Sequence, residues 1–129
     1  HKIQRVGSER DLVVDVRVIA ATNKNLRNEI KNNNFREDLF HRLAVIEIDV
    51  PSLNDRSSDI PLLVNHFLKD IAKDSQQEIK TIDKEAVNQL KKFDWSGNVR
   101  ELRNVIERLI ILSEKNKITK DDVKKYSNK

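Results

Sequence analysis

The apolar stripe between residues 99 and 112 constrains this chain more than any other feature. Val99, Leu102, Val105, Ile106, Leu109, Ile110 and Leu112 recur at the three- and four-residue spacing of one helix face. Such a face has to be covered by other apolar faces, and two are available. Ile60, Leu63, Val64, Phe67, Leu68 and Ile71 make a second stripe, with Pro61 tolerated in its first turn. Ala86, Val87 and Leu90 make a third, in a helix that Asp83 can cap and that continues through Phe93. Thr119 and Asp122 are spaced as a capping pair for a last short helix. Two glycines and two prolines in 129 residues leave few loop breaks, as a mostly helical protein requires.

The N-terminal part follows another period. Residues 12–21, LVVDVRVIAA, set Val14, Val16 and Val18 against Asp15 and Arg17 before becoming wholly apolar, which predicts a strand. Residues 3–6 are a candidate hairpin partner across the polar segment 7–11. Residues 45–50 alternate again and stop at Pro51, which cannot donate to a ladder, so a second strand is expected there. Between the two, residues 26–31 and 35–43 predict short helices, the latter from Phe35, Leu39, Phe40 and Leu43. Two strands cannot form a stable open sheet with a covered face, so this region reads as the edge of a larger α/β domain. The expected architecture is mainly α: an α/β edge over residues 1–51, then a helical bundle over 52–129, with the boundary within 51–58.

Composition excludes several function classes. Charge interrupts every stretch long enough to cross a bilayer, and no signal segment opens the chain, so a cytoplasmic location and no membrane partner are expected. The absence of cysteine removes disulfides and thiolate metal sites, and His1, His41 and His66 lack ligand spacing, so no metal site is expected. The net charge of +4 arises from 25 basic and 21 acidic residues, a balance that describes a mixed, solvated surface. The densest basic cluster, Lys124, Lys125 and Lys129, reads as a frayed linker. A start at His1 without methionine suggests an excised piece of a larger unit.

Three places could carry chemistry. The strand ending at Ala21 delivers Thr22 and Asn23 to the edge where α/β proteins bind ligands, and both side chains can hydrogen-bond a phosphate or a water; a plain turn is the competing reading. Arg36 and Arg42 in FREDLFHRL lie about 120° apart around a helix and cannot share a face. They suit either surface ion pairs, such as Asp38 with Arg42, or anion recognition. Finally, Asn98 and Glu101 are spaced as a capping box, which puts Arg100 in the first helical turn. A cation there opposes the helix dipole unless an anion is near, either a phosphate or the carboxylates of Glu101 or Asp94.

Taken together, VDVRVIAATN (14–23), FREDLFHRL (35–43), DRSSDIPLL (55–63) and WSGNVRELRNVIER (95–108) resemble the AAA+ ATPase domain of sigma-54-dependent transcriptional activators, the bacterial enhancer-binding proteins. The motifs fall in the family's order and spacing and cover nearly the whole chain. The resemblance implies that Asn23, with Thr22, is sensor I, that Arg36 and Arg42 are arginine fingers reaching ATP held by a neighbouring subunit, and that Arg100 is sensor II in the helical lid. It further implies ATP and Mg²⁺ as cofactors of the parent protein, hexameric rings of AAA+ subunits, sigma-54 RNA polymerase as the remodelled partner, and DNA contact through a helix-turn-helix domain beyond residue 129.

The family usually has arginine at position 54 and proline at position 96, where this chain has Asn54 and Ser96. No GxxxxGK[ST] P-loop, acidic Walker B strand or GAFTGA loop occurs in it, so the chain alone is expected to bind nucleotide weakly and to hydrolyse none. The competing function is a basic helical module that puts residues 93–115 into DNA. That helix carries Glu101, Arg103, Glu107 and Arg108, both signs together, where a recognition helix is basic or polar.

Overall fold

The computed structural model describes residues 2–7, 10–76 and 78–127, and the chain divides into two compact units, His1–Asp49 and Val50–Lys129. The chain is mainly α, as the apolar periods predict. His1 and Lys129, noted above, lie outside the described residues.

In the first unit, strands β1 (Lys2–Gln4) and β2 (Asp11–Val13) form an antiparallel hairpin with Ile3 opposite Leu12. The proposed pairing of residues 3–6 is therefore real but shifted. Asp11 closes it by accepting the Gln4 amide at 2.8 Å and pairing with Lys2 at 3.6 Å. Neither expected strand forms at its expected length. The ladder stops at Val13, and residues 14–21 and 45–50 form no strand among the described residues. Strand alternation encodes a side chain's fit to a covered sheet, and without such a surface Val18, Ile19, Ile46 and Ile48 stand exposed.

Two short helices follow, α1 (Leu26–Lys31) and α2 (Glu37–Leu43). Asn25 caps α1 by accepting the Asn28 N–H at 3.1 Å. The asparagine run 32–34 ends it: Asn33 adopts the left-handed conformation (φ 57°), open to asparagine at low steric cost, and the Asn34 N–H returns to the Glu29 carbonyl. Phe40 is the buried side chain of α2, with the Arg27 guanidinium over its ring at 5.6 Å.

The second unit is a helical bundle: a 3-10 turn (Ser57–Asp59), α3 (Ile60–Ser75), α4 (Lys84–Leu90), α5 (Asn98–Leu112) and α6 (Lys120–Tyr126). Its core joins the predicted stripes. Ile60, Val64, Phe67, Leu68 and Ile71 of α3 meet Leu102, Val105, Ile106 and Leu109 of α5, with Ala86, Leu90 and Val123 completing the cluster. Each valine, leucine, isoleucine or phenylalanine among them contributes roughly 1.5–3 kcal/mol by leaving water. Leu53 and Trp95 are also fully buried, and the Trp95 indole N–H donates to the Leu90 carbonyl at 3.0 Å. Leu112, counted in the stripe, is instead exposed near the end of its helix.

Three further differences separate sequence from structure. A parallel bridge pairs β3 (Thr81–Ile82) with β4 (Lys117–Ile118), tying the starts of α4 and α6 side by side. Asp83 precedes α4 without capping it, because its carboxylate is engaged with Lys117 at 2.6 Å. The capping box at Thr119 and Asp122 forms as predicted, and Lys124 and Lys125 belong to the last turn of α6 rather than to a frayed linker. No helix among the described residues is long and apolar enough to cross a membrane.

Candidate functional site

The candidate side chains are all exposed, and the three arginines stand at helix ends. Thr22 and Asn23 occupy the bend ahead of α1, where the Thr22 hydroxyl accepts the Lys24 N–H at 3.1 Å. The local turn forms, whereas the strand expected to end at Ala21 and to give Thr22 and Asn23 a sheet edge does not, and the Asn23 side chain is exposed.

Arg36 and Arg42 bracket α2. Arg36 is the residue before the first turn and Arg42 lies in the last, so a rise of about 1.5 Å per residue separates them along the axis by roughly 9 Å. The ion pair weighed between Asp38 and Arg42 does not form. Asp38 instead receives a fork from Arg36, Nε at 2.9 Å and an Nη at 2.6 Å, because the extended backbone at Arg36 turns its side chain back over the helix start. This hydrogen-bonded pair raises the Arg36 pKa and lowers that of Asp38. Both groups are solvent-exposed, so an anion arriving from outside can compete for the guanidinium. The Arg42 guanidinium has no ion-pair or hydrogen-bond partner among the described residues. A shallow depression of about 500 Å³ lies beside Arg36, lined by Ile30, Asn33, Asn34 and Phe35.

Arg100 occupies the first turn of α5 and is exposed. Its two candidate carboxylates are turned elsewhere. Glu101 accepts the Gly97 N–H at 3.0 Å, and Asp94 accepts the Asn54 amide at 2.5 Å. Among the described residues the Arg100 guanidinium forms neither an ion pair nor a hydrogen bond. It therefore opposes the helix dipole without local compensation, an arrangement that an incoming anion relieves.

The predicted capping box at this helix is only half present. Glu101 reaches back as expected, but to Gly97, which is the residue preceding the helix. Asn98 takes the left-handed conformation (φ 55°) and sends its side chain outward, where it accepts the Leu53 N–H at 2.7 Å. Gly97 is needed for space rather than for torsion: a Cβ there would lie 2.7 Å from Glu101 Cβ. Sequence reasoning did not assign the roles of Asn54 and Asn98 as acceptors for backbone N–H groups across the fold.

Helix α5 buries its apolar face and carries charges of both signs on the other. Leu102, Val105, Ile106, Leu109 and Ile110 bury its apolar face, and it packs between α3 and α6. Its charged side is neutralised in part by Arg103, which pairs with Glu107 at 3.7 Å and Asp74 at 4.0 Å. At the far end, Arg108 donates to the carbonyls of Tyr126 and Ser127, closing the last turn of α6.

Residues 54–129 match the family model described as the AAA+ ATPase lid domain, and residues 1–49 match the Sigma-54 interaction domain. The DNA-binding transcriptional activator HyfR of Escherichia coli K12 is 47% identical over 117 residues, 91% of this chain and 18% of that protein. The regulatory protein AtoC of the same organism is 46% identical over 112 residues, covering 87% of this chain and 24% of that protein. Among solved structures, NtrX from Brucella abortus in complex with ATP superposes with a TM-score of 0.84 at 42% identity, over 94% of this chain and 28% of that one. The chain thus spans less than a third of each of these proteins.

Proposed function

This chain belongs to the sigma-54-dependent activators, as the C-terminal part of their AAA+ ATPase domain, and on that premise we propose that its exposed arginines act on the phosphates of ATP. The observation that carries this is the position of Arg100. It is a cation in the first turn of α5 with both nearby carboxylates turned to other donors, so phosphate is the chemistry that completes it. In this reading Arg100 is sensor II and contacts the nucleotide of its own subunit from the lid. Arg36 and Arg42 reach the nucleotide of the neighbouring subunit in a hexameric ring, and Asn23, oriented beside the Thr22 turn, reports the γ-phosphate.

Mg²⁺ neutralises phosphate charge in such reactions and is held by residues of the P-loop and Walker B segments, which this sequence does not contain. What this chain contributes is positive charge placed to meet charge that moves during phosphoryl transfer. Arg42 is immediately available for that role. Arg36 has to exchange Asp38 for phosphate, which a more highly charged anion favours. Hydrolysis then drives remodelling of sigma-54 RNA polymerase, with DNA held through a helix-turn-helix domain of the whole protein.

The test uses a complete ATPase domain carrying this segment. Arg36→Ala and Arg42→Ala should each reduce turnover strongly, by about 10³-fold or more, with nucleotide affinity mostly intact. Mixing either variant with subunits defective in their own P-loop should restore activity, since each supplies what the other lacks. Co-assembled mixtures that stay inactive in every combination overturn the trans assignment. The chain alone should show no Mg²⁺-dependent hydrolysis.

A further inference from the structure

Two loops distant in sequence are locked together at the start of α5, the helix whose first turn carries Arg100. Asn98 Oδ1 accepts the Leu53 N–H at 2.7 Å, Asn54 Oδ1 accepts the Trp95 N–H at 2.8 Å, and Asn54 Nδ2 donates to Asp94 at 2.5 Å. Both loops are anchored in the core at their centres, because Leu53 and Trp95 are fully buried. The first is also closed on itself: Asp55 accepts the Ser52 hydroxyl at 2.6 Å and its N–H at 3.2 Å. The rigid loop 52–55 is thus a fixed reference against which the start of α5 is set.

The start of α5 needs such a reference. Its fully buried stripe begins only at Leu102, and the one apolar side chain ahead of it in the helix is Val99, which is partly buried. Arg100 lies between the two, so its bearing depends on how the first turn is held. Asn98 holds it in an unusual way. Its left-handed backbone removes the side chain from its own helix end and gives the oxygen to Leu53 instead. Asparagine satisfies both demands at once, tolerating positive φ and carrying a short acceptor.

We infer that Asn98, supported by Asn54, is a positioning residue for Arg100, setting the direction of its guanidinium from the 52–55 loop. The inference rests on the proposed role of Arg100 in phosphate contact. The Asn54 amide serves the Trp95 N–H and the Asp94 carboxylate together.

The experiment is a mutant cycle on ATP turnover in the complete ATPase domain. Asn98→Gly keeps positive φ accessible and removes the acceptor, whereas Asn98→Asp keeps both. Asn98→Gly should lower kcat by about tenfold, as misplacement of a phosphate contact does, with little change in KM, and Asn98→Asp should recover most of it. In an Arg100→Ala background Asn98→Gly should have no further effect, because its target is gone. Should Asn98→Gly melt below the assay temperature, Asn54→Ala is carried through the same cycle with the same expectations. Full activity in the single variant, or an undiminished loss on top of Arg100→Ala, overturns the positioning role while leaving Arg100 as sensor. An Arg100→Ala domain with normal turnover overturns the sensor assignment itself, and the positioning role with it.

Discussion

The indole N–H of Trp95 donates to the carbonyl of Leu90 at 3.0 Å inside the helical bundle, joining the end of α4 to the turn that starts α5. The ring is 1% exposed and packs near Phe93, with centroids 6.0 Å apart. Trp95→Ala should therefore cost about 3–5 kcal/mol, and Trp95→Phe less, since the Leu90 carbonyl keeps the Phe93 N–H at 3.3 Å. Urea denaturation of both variants measures the difference. Equal losses would show that the hydrogen bond and the second ring carry the whole effect and that burial of a single ring contributes nothing measurable.

Gly97 should be intolerant of alanine although its φ is ordinary. The new Cβ would meet Glu101 Cβ, an atom fixed to the helix backbone, at 2.7 Å. Relief requires the first turn to shift, breaking the Glu101 bond to the Gly97 N–H. Gly97→Ala is expected to destabilise the chain by about 1–3 kcal/mol, read as a lower denaturation midpoint. An unchanged midpoint would mean that the turn is softer than its contacts indicate.

Arg100→Ala should leave the chain folded and slightly more stable. The substitution removes a cation from a helix N-terminus and disturbs no ion pair, an effect worth about 0.3–1 kcal/mol without bound anion. Thermal melting at low salt is the measurement. A fall of many degrees would identify Arg100 as a structural residue and remove the physical basis of its assignment to phosphate.

Acid should weaken the start of α6. Asp122 accepts the Thr119 N–H and hydroxyl at 2.8 Å each, and the backbone bond is the main reason its pKa is lowered. A carboxyl with a depressed folded pKa stabilises the fold above its unfolded value and loses that contribution as pH falls through the folded one. Asp122→Asn should thus be less stable than the parent chain near neutral pH and approach it as acid protonates the parent carboxyl. Thr119→Ala, removing the other half of the box, should cost about 1 kcal/mol. Parallel melting curves for Asp122→Asn and the parent at every pH would count against the assignment.

Helices in this chain were legible because their signal is repeated. The buried faces of α3 and α5 follow from several residues each, and one ambiguous position changes neither. The bridge between β3 and β4 offers two residues per strand, too few to establish a period, and depends on Asn116 and Ile118 being brought back to Thr81 and Asp83 by α5. The valines of 12–21 show the opposite failure, where a clear period describes a sheet environment that the described residues do not supply. Arg36, Arg42 and Arg100 stand out in the sequence by type and spacing. Which carboxylate each would meet does not, since Asp38 chose Arg36 over Arg42 through one backbone torsion. Asn98 was placed at the right helix end and given the wrong partner, because its contact with Leu53 is long-range and leaves no local pattern.

The bridge between Thr81 and Lys117 also orders events as the chain acquires its structure. Its two strands can meet only after α4 and α5 have folded back, since both helices lie in the loop that it closes. A nascent chain released only as far as Leu112 would hold the stripes of α3 and α5 and could assemble them, yet Ile82 would lack Ile118 and Leu90 would lack the cover of α6. Closure of this unit therefore waits for β4 and α6 to emerge from the ribosome, whatever the helices that dominate its core have already done.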